Sequence, residues 1–354
     1  KNQGTLLIVL TLIWGIISSV SAILQKHVLS SSSSPSSSGV DGVGGVHPVS
    51  LAAVCLGLAS LVHAIIWFLG IRKGPNVRRI RERHVVRATA SAALHAIATI
   101  LGFYAVRMGP VSTAVLLKTI PIHIVLQAPS SSSSSLPRAA LLSILVGTGL
   151  SIESTSQLLV GLAAMLCFAA RGYIRFDPKR FRGSPNLFGL VTILSFVLVL
   201  PMTLFLDTPV TTTGFQAVTQ DPSMIMSAIA IGILYFLNGE WTIVLVRHQQ
   251  NQQQQQQHHQ RDETSFHELA LSDTARRVMT FLAGALCFGE AISVEGSLLT
   301  FGGYYCWTTL YSSLSSSLSS PSSLALPFVP RLRSDSDSSF TSGGARSSVT
   351  SISR

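Results

Sequence analysis

Residues 111–127 read VSTAVLLKTIPIHIVLQ, an apolar run with a single lysine, Lys118, about midway along it. Near the bilayer midplane such a cation costs at least ~2.5–3.5 kcal/mol, so it faces a cavity or a partner. The whole chain shares the apolar character of this run. It has 354 residues, 47% hydrophobic and 11% charged, with a mean hydropathy of +0.47. Soluble domains carry roughly a quarter charged residues. That contrast excludes a soluble enzyme, a disordered tail and a nucleic-acid module. The net charge of +10 then points to basic loops on the cytoplasmic-type side of a membrane.

Ten apolar stretches follow one another: Thr5–Leu24, Val49–Leu69, Ala88–Val106, Val111–Gln127, Leu136–Leu150, Gln157–Ala170, Leu187–Leu206, Met224–Val246, Leu269–Phe288 and Ile292–Leu310. About 20 apolar residues span the hydrocarbon core, so the pattern predicts an all-α membrane protein of ten transmembrane helices. An even number puts both termini on one side. Twenty of the 25 lysines and arginines fall on that side if the helices are counted this way, including Arg72, Lys73, Arg171 and Arg247 in loops. The opposite loops carry Asp41, Asp207 and Asp221 and no Lys or Arg. This asymmetry places both termini on the cytoplasmic-type side. A transporter domain over residues 1–311 is expected, with low-complexity loops at 30–45 and 248–266 and a Ser-rich disordered tail over 312–354. The first residue is Lys1, so a trimmed start is expected, with any targeting peptide lying before it.

The remaining five basic residues are Lys26 and Arg107 at helix ends and Lys118, Arg276 and Arg277 within helices. The arginines are expected about a third of the way into helix 9. Successive residues point roughly 100° apart, so the two do not aim equally at one spot. Asp273 lies four residues before Arg277, a same-helix ion-pair spacing. Asp273 and Glu240 are the nearby carboxylates, and the bland alternative is that they neutralise the arginines and nothing else binds. Three fixed cations against at most two carboxylates leave a positive excess that wants an anion. Arginine suits phosphate because its planar fork donates paired hydrogen bonds. Split five and five, helices 4 and 9 are counterparts, and the deep cations sit on those two.

Cys55, Cys167, Cys287 and Cys306 show no CxxC spacing and read as packing residues. His258 and His259 belong to a solvated Gln/His tract rather than a metal site. His95 and His123 read as satisfied helix histidines. Trp14, Trp67, Trp241 and Trp307 read as interfacial anchors or packing. No P-loop motif occurs, and no cofactor or metal is expected. The basic loop Arg72–Arg87 suits acidic lipid headgroups; without interleaved aromatics it does not suit nucleic acid.

Several segments together resemble the triose-phosphate translocator family of the drug/metabolite transporter superfamily. Ile23-Leu24-Gln25-Lys26-His27-Val28-Leu29 resembles its ILNKKVLN segment, followed by Pro48. Leu94-His95 is similar to LLH, and Val111-Ser112 through Lys118 to VSFTHTIK. Asp273-Thr274-Ala275-Arg276-Arg277-Val278 resembles NTVKRV, and Phe288-Gly289-Glu290 with Ser293 resembles FGTPLS. The resemblance implies a ten-helix 5+5 inverted repeat, with Lys118, Arg276 and Arg277 as ligands of a substrate phosphate. It implies exchange of inorganic phosphate for a phosphorylated sugar or three-carbon acid, with a plastid envelope and a Golgi or endoplasmic-reticulum membrane both left open. The Golgi and endoplasmic-reticulum relatives exchange nucleotide sugars for nucleoside monophosphates. Thr99, Gly102, Asn238 and Glu240 are expected to line the substrate. The chain departs from the family at several points. Thr99 and Gly102 stand where His and Thr contact the triose. Leu237 stands for a phosphate-touching tyrosine, Arg276 for a lysine and Asp273 for an asparagine, and helix 6 lacks about three residues. A non-transporting membrane scaffold is a further alternative, and an intramembrane enzyme lacks any Ser/His or paired-carboxylate spacing.

Overall fold

The computed structural model describes residues 2–30, 46–75, 82–119, 135–152, 154–174, 184–206, 222–256 and 264–317. Every regular element among them is a helix. In chain order these are α1 (Asn2–Ser30), α2 (Pro48–Phe68), α3 (Glu82–Met108), α4 (Val111–Thr119) and α5 (Ser135–Leu150). Then come α6 (Thr155–Tyr173), α7 (Ser184–Leu206), α8 (Pro222–Gln256), α9 (Thr264–Phe288) and α10 (Val294–Ser317). Each apolar stretch therefore has its helix. Five helices are long and apolar enough to cross a membrane, within α1, α2, α3, α7 and α8. For α4 the described part ends at Thr119, and Pro121 and His123 lie outside the described residues, as do His258 and His259.

Helix ends differ from expectation where polar sequence tolerates helix. The Gln-rich tract, expected as loop, continues α8 to Gln256, because glutamine is a good helix former. Likewise α10 runs to Ser317, past the expected start of the Ser-rich tail. Arg171, counted as a loop residue, lies in the last turn of α6. Local chemistry sets other ends. Pro48 opens α2 at its first turn. Ser154 caps α6 by accepting from the Gln157 backbone N–H. Gly289, at φ +60°, ends α9 in the left-handed conformation, and the Glu290 N–H closes back on the Ala285 carbonyl. That turn aims the Glu290 carboxylate at α4, whose Val111 and Ser112 N–H groups donate to it at 2.6 and 2.8 Å. A carboxylate on a helix N-terminus meets both the orphan donors and the helix dipole.

The helices pack as a bundle. The principal pairs are α1 with α8 and α9, α2 with α3, α7 and α8, α3 with α6 and α7, α4 with α6 and α9, α5 with α10, and α9 with α10. Exchanging each helix for the one five places along maps all of these but the neighbour pairs α2–α3 and α9–α10 onto one another. Leu51, Leu56, Ile100, Phe103, Val111, Leu116, Ile231 and Phe281 form the main core. The α5–α10 contact is backbone on backbone. A Cβ at Gly147 would lie 2.5 Å from the Gly296 carbonyl oxygen and 2.7 Å from the Thr300 nitrogen. Small residues permit such an approach between helices. Large apolar side chains point outward along many helices, Phe68, Phe205 and Leu286 being more than 80% exposed. An outward apolar surface is what a lipid-facing bundle requires.

Candidate functional site

Asp273, Arg276 and Arg277 lie near the midpoint of the 25-residue α9, which begins five residues before the expected stretch. Their i, i+3 and i+4 spacing puts the carboxylate within reach of both guanidinium groups. Asp273 divides its oxygens between them. Arg276 Nε and Nη2 donate to Oδ1 at 3.1 and 2.6 Å. Arg277 Nε donates to Oδ2 at 2.7 Å, and the Tyr304 hydroxyl of α10 donates to the same oxygen at 2.6 Å. The 100° divergence of the arginines is thus resolved by a carboxylate placed between them.

Beyond Asp273 the two arginines separate. Arg276 stacks on the Trp14 ring of α1 at 4.3 Å and reaches the Ser18 hydroxyl at 3.4 Å. Trp14 and Ser18 both donate to the Asn238 side-chain oxygen on α8, at 2.8 and 3.1 Å. Asn238 is therefore tied to the arginine through α1. Arg277 lies 4.8 Å over the Tyr304 ring and donates to the Lys118 carbonyl of α4 at 2.6 Å. That bond joins α9 to the helix carrying the third cation. Lys118 lies within electrostatic reach of both arginines. It keeps exposed surface and lines a cleft with Gly102, Ala105, Ala114, Leu117, Gly161 and others of α3 and α6. No atom stands within 4 Å of where a Gly102 Cβ would be. Among the described residues Asp273 is paired with the two arginines and no carboxylate is paired with Lys118, so the group keeps a positive excess.

Glu240 corrects the expectation that it helps neutralise the arginines. Both its oxygens are taken by Arg72, at 3.0 and 2.9 Å. Helix α8 turns Glu240 towards the chain that follows α2, beside the buried His63, whose Nδ1 is 3.9 Å away. Thr99 belongs to a separate polar chain through α3, α6 and α8. Arg171 Nη1 meets His95 Nδ1 at 2.8 Å, and His95 Nε2 meets the Tyr235 hydroxyl at 2.7 Å. A guanidinium only donates, so Nδ1 accepts and Nε2 carries the proton towards Tyr235. Tyr235 lies 3.4 Å from Thr99 Oγ1, and Thr99 donates back to the His95 carbonyl at 2.7 Å. The expected packing histidine is thus satisfied on both nitrogens by polar partners.

Trp14, Tyr304, Arg171 and Tyr235 were not singled out by spacing. Only the position of Arg171 at the end of an apolar run hinted at a buried cation. The tryptophans prove to be hydrogen-bonded or buried: Trp67 donates to Asn186, Trp241 to the Leu10 carbonyl, and Trp307 is 4% exposed.

The model of the Triose-phosphate Transporter family matches residues 5–307, nearly all of the chain. The chain belongs to the Triose-phosphate Transporter family. It is therefore an integral membrane transporter. A solved structure described only as the crystal structure of a protein is 15% identical, with a TM-score of 0.47, covering 84% of this chain and 97% of that one. Among curated proteins none matches. Lys118 lies on α4 and Arg276 and Arg277 lie on α9.

Proposed function

We propose that this protein exchanges a phosphorylated sugar or related organic phosphate for inorganic phosphate by alternating access. The observation that carries this reading is the grouping of Lys118 on α4 beside Arg276 and Arg277 on α9, with Asp273 paired to the arginines alone among the described residues. A dianionic phosphate entering this group offsets the positive excess and offers oxygens to the arginine forks. The pairing of α4 with α9, and the five-place exchange of helix contacts, support a 5+5 repeat with the site between its halves. Both termini then lie on one side, consistent with the basic loops.

The coupling follows from electrostatics. Closing the halves around unbalanced cations takes charge out of water at a cost of several kcal/mol. A bound anion removes most of that cost, so the loaded carrier crosses more readily than the empty one. Neither step needs ATP. The alternative cargo is a nucleotide sugar, for which the favouring feature is that nothing stands within 4 Å of where a Gly102 Cβ would lie.

The test is reconstitution in liposomes and uptake of labelled phosphate. Phosphate-loaded vesicles are expected to take up label faster than empty ones, and Lys118→Ala and Arg276→Ala to lose the uptake. Equal uptake into loaded and empty vesicles would refute the coupling. Unchanged uptake by both variants would refute the site, and the scaffold alternative would gain if phosphate stabilised neither wild type nor variants.

A further inference from the structure

Asp273 gathers four hydrogen bonds from three side chains: two from Arg276, one from Arg277 and one from Tyr304. It is one-fifth exposed, and the two arginines are similarly enclosed. A substrate phosphate that engages the Nε–Nη2 edge of Arg276 or the Nε of Arg277 needs N–H groups that Asp273 holds. Asp273 and the substrate are therefore rivals for one set of donors. A carboxylate resembles one edge of a phosphate in charge and in the spacing of its oxygens, which is why both fit the guanidinium fork.

We propose that Asp273 is a built-in counter-anion that occupies the arginines when no substrate is bound, lets the unloaded carrier return, and so adds net flux of the phosphorylated substrate to exchange. This inference rests on the exchange reading above. Its physical basis is the charge that must be enclosed when the empty site closes. Three cations with Asp273 present a smaller unbalanced charge than three cations alone, and the enclosure cost falls accordingly. Tyr304 holds the carboxylate at its post by donating to Oδ2. Lys118 has no share in Asp273 among the described hydrogen bonds and ion pairs. It remains as the charge that draws an incoming phosphate and turns the arginines towards it. Net flux is thus slower than exchange, yet present.

The experiment compares wild type, Asp273→Asn and Tyr304→Phe in liposomes, with the membrane potential clamped at zero by potassium and valinomycin. Labelled inorganic phosphate is the probe, and the readout is the ratio of initial uptake into phosphate-loaded and empty vesicles. Asp273→Asn is expected to raise that ratio at least tenfold by suppressing uptake into empty vesicles, while uptake into loaded ones survives. Its thermal stabilisation by phosphate should half-saturate at a concentration at least tenfold lower than in wild type, since the rival anion is gone. That second readout also shows that the variant is folded. Tyr304→Phe keeps the charge but loosens its hold, and should raise the ratio by no more than a third of the Asp273→Asn rise. An unchanged ratio in Asp273→Asn, an unchanged phosphate affinity, or an equal rise in Tyr304→Phe would overturn the counter-anion role and leave exchange standing. Absence of wild-type uptake into loaded vesicles would overturn the exchange reading, and this inference with it.

Discussion

Replacing Lys118 by methionine separates binding from folding in a single variant. The methionine keeps an unbranched apolar stem and removes only the ammonium. The arginines lean on Asp273, whereas no described carboxylate pairs with Lys118. Its removal therefore breaks no ion pair and relieves repulsion from Arg276 and Arg277. The unliganded protein should melt no lower than wild type. Binding tells the opposite story. A hydrogen bond to a charged partner is worth ~1.5–3 kcal/mol, which is about 10- to 150-fold in Kd. At phosphate set to 100 times the wild-type Kd, ligand stabilisation is about 2.7 kcal/mol, and a hundredfold loss of affinity reduces it to roughly 0.4 kcal/mol. Thermal unfolding of detergent-solubilised protein with and without inorganic phosphate reads both quantities. A variant whose phosphate affinity stays within threefold of wild type would refute the assignment of Lys118 as a ligand. A fall of several degrees without phosphate would show instead that the lysine serves the fold.

Two further predictions concern the frame around the site. Glu240→Gln should lower stability by about 1–2 kcal/mol, since it weakens a two-pronged pair whose arginine is 31% exposed; the double variant with Arg72→Gln should lose less than the sum of the singles in thermal melts, and strict additivity would count against the pair. Gly147→Val drives a side chain into the Gly296 carbonyl and Thr300 of α10 and should cost about 1–3 kcal/mol or more, whereas Gly149→Val, with nothing within 4 Å, should melt near wild type.

The arrangement of charges explains how one membrane bundle can hold cations without collapsing around them. Each charge in the bundle is handled differently. Lys26 donates to the carbonyls of Val106 and Gly109 at the end of α3, at 3.1 and 2.8 Å, where helix carbonyls are short of donors. Arg72 and Glu240 satisfy each other. Arg171 feeds a chain of neutral groups through His95. Among the described residues the α4–α9 group alone combines three cations with one carboxylate beside a small cleft, which is the combination an anion can complete.

Much of this was legible along the chain. Apolar runs carry their own signal, because a segment in lipid must be helical to satisfy its backbone; each of the ten stretches meets a helix in the same order, the fourth as far as it is described, and among the described residues five helices are long and apolar enough to span. Lys118, Arg276 and Arg277 stood out because a charge inside an apolar run is costly wherever the fold puts it. Asp273 was legible as a partner of Arg277 from its i, i+4 spacing alone. What the sequence could not assign was who meets whom across helices. Arg72 and Glu240 are 168 residues apart, and Arg171 and His95 are separated by 76. Nothing local distinguishes Glu240 as a partner of Arg72 from Glu240 as a partner of Arg276. The Tyr304 hydroxyl on Asp273, the Trp14 ring under Arg276 and the tautomer of His95 arise only when α1, α3, α6, α8, α9 and α10 are brought together. Hydrophobic burial acts on each segment by itself and so is written in the segment. Hydrogen bonds and ion pairs act over a few ångströms between segments, and only packing decides which of them can form.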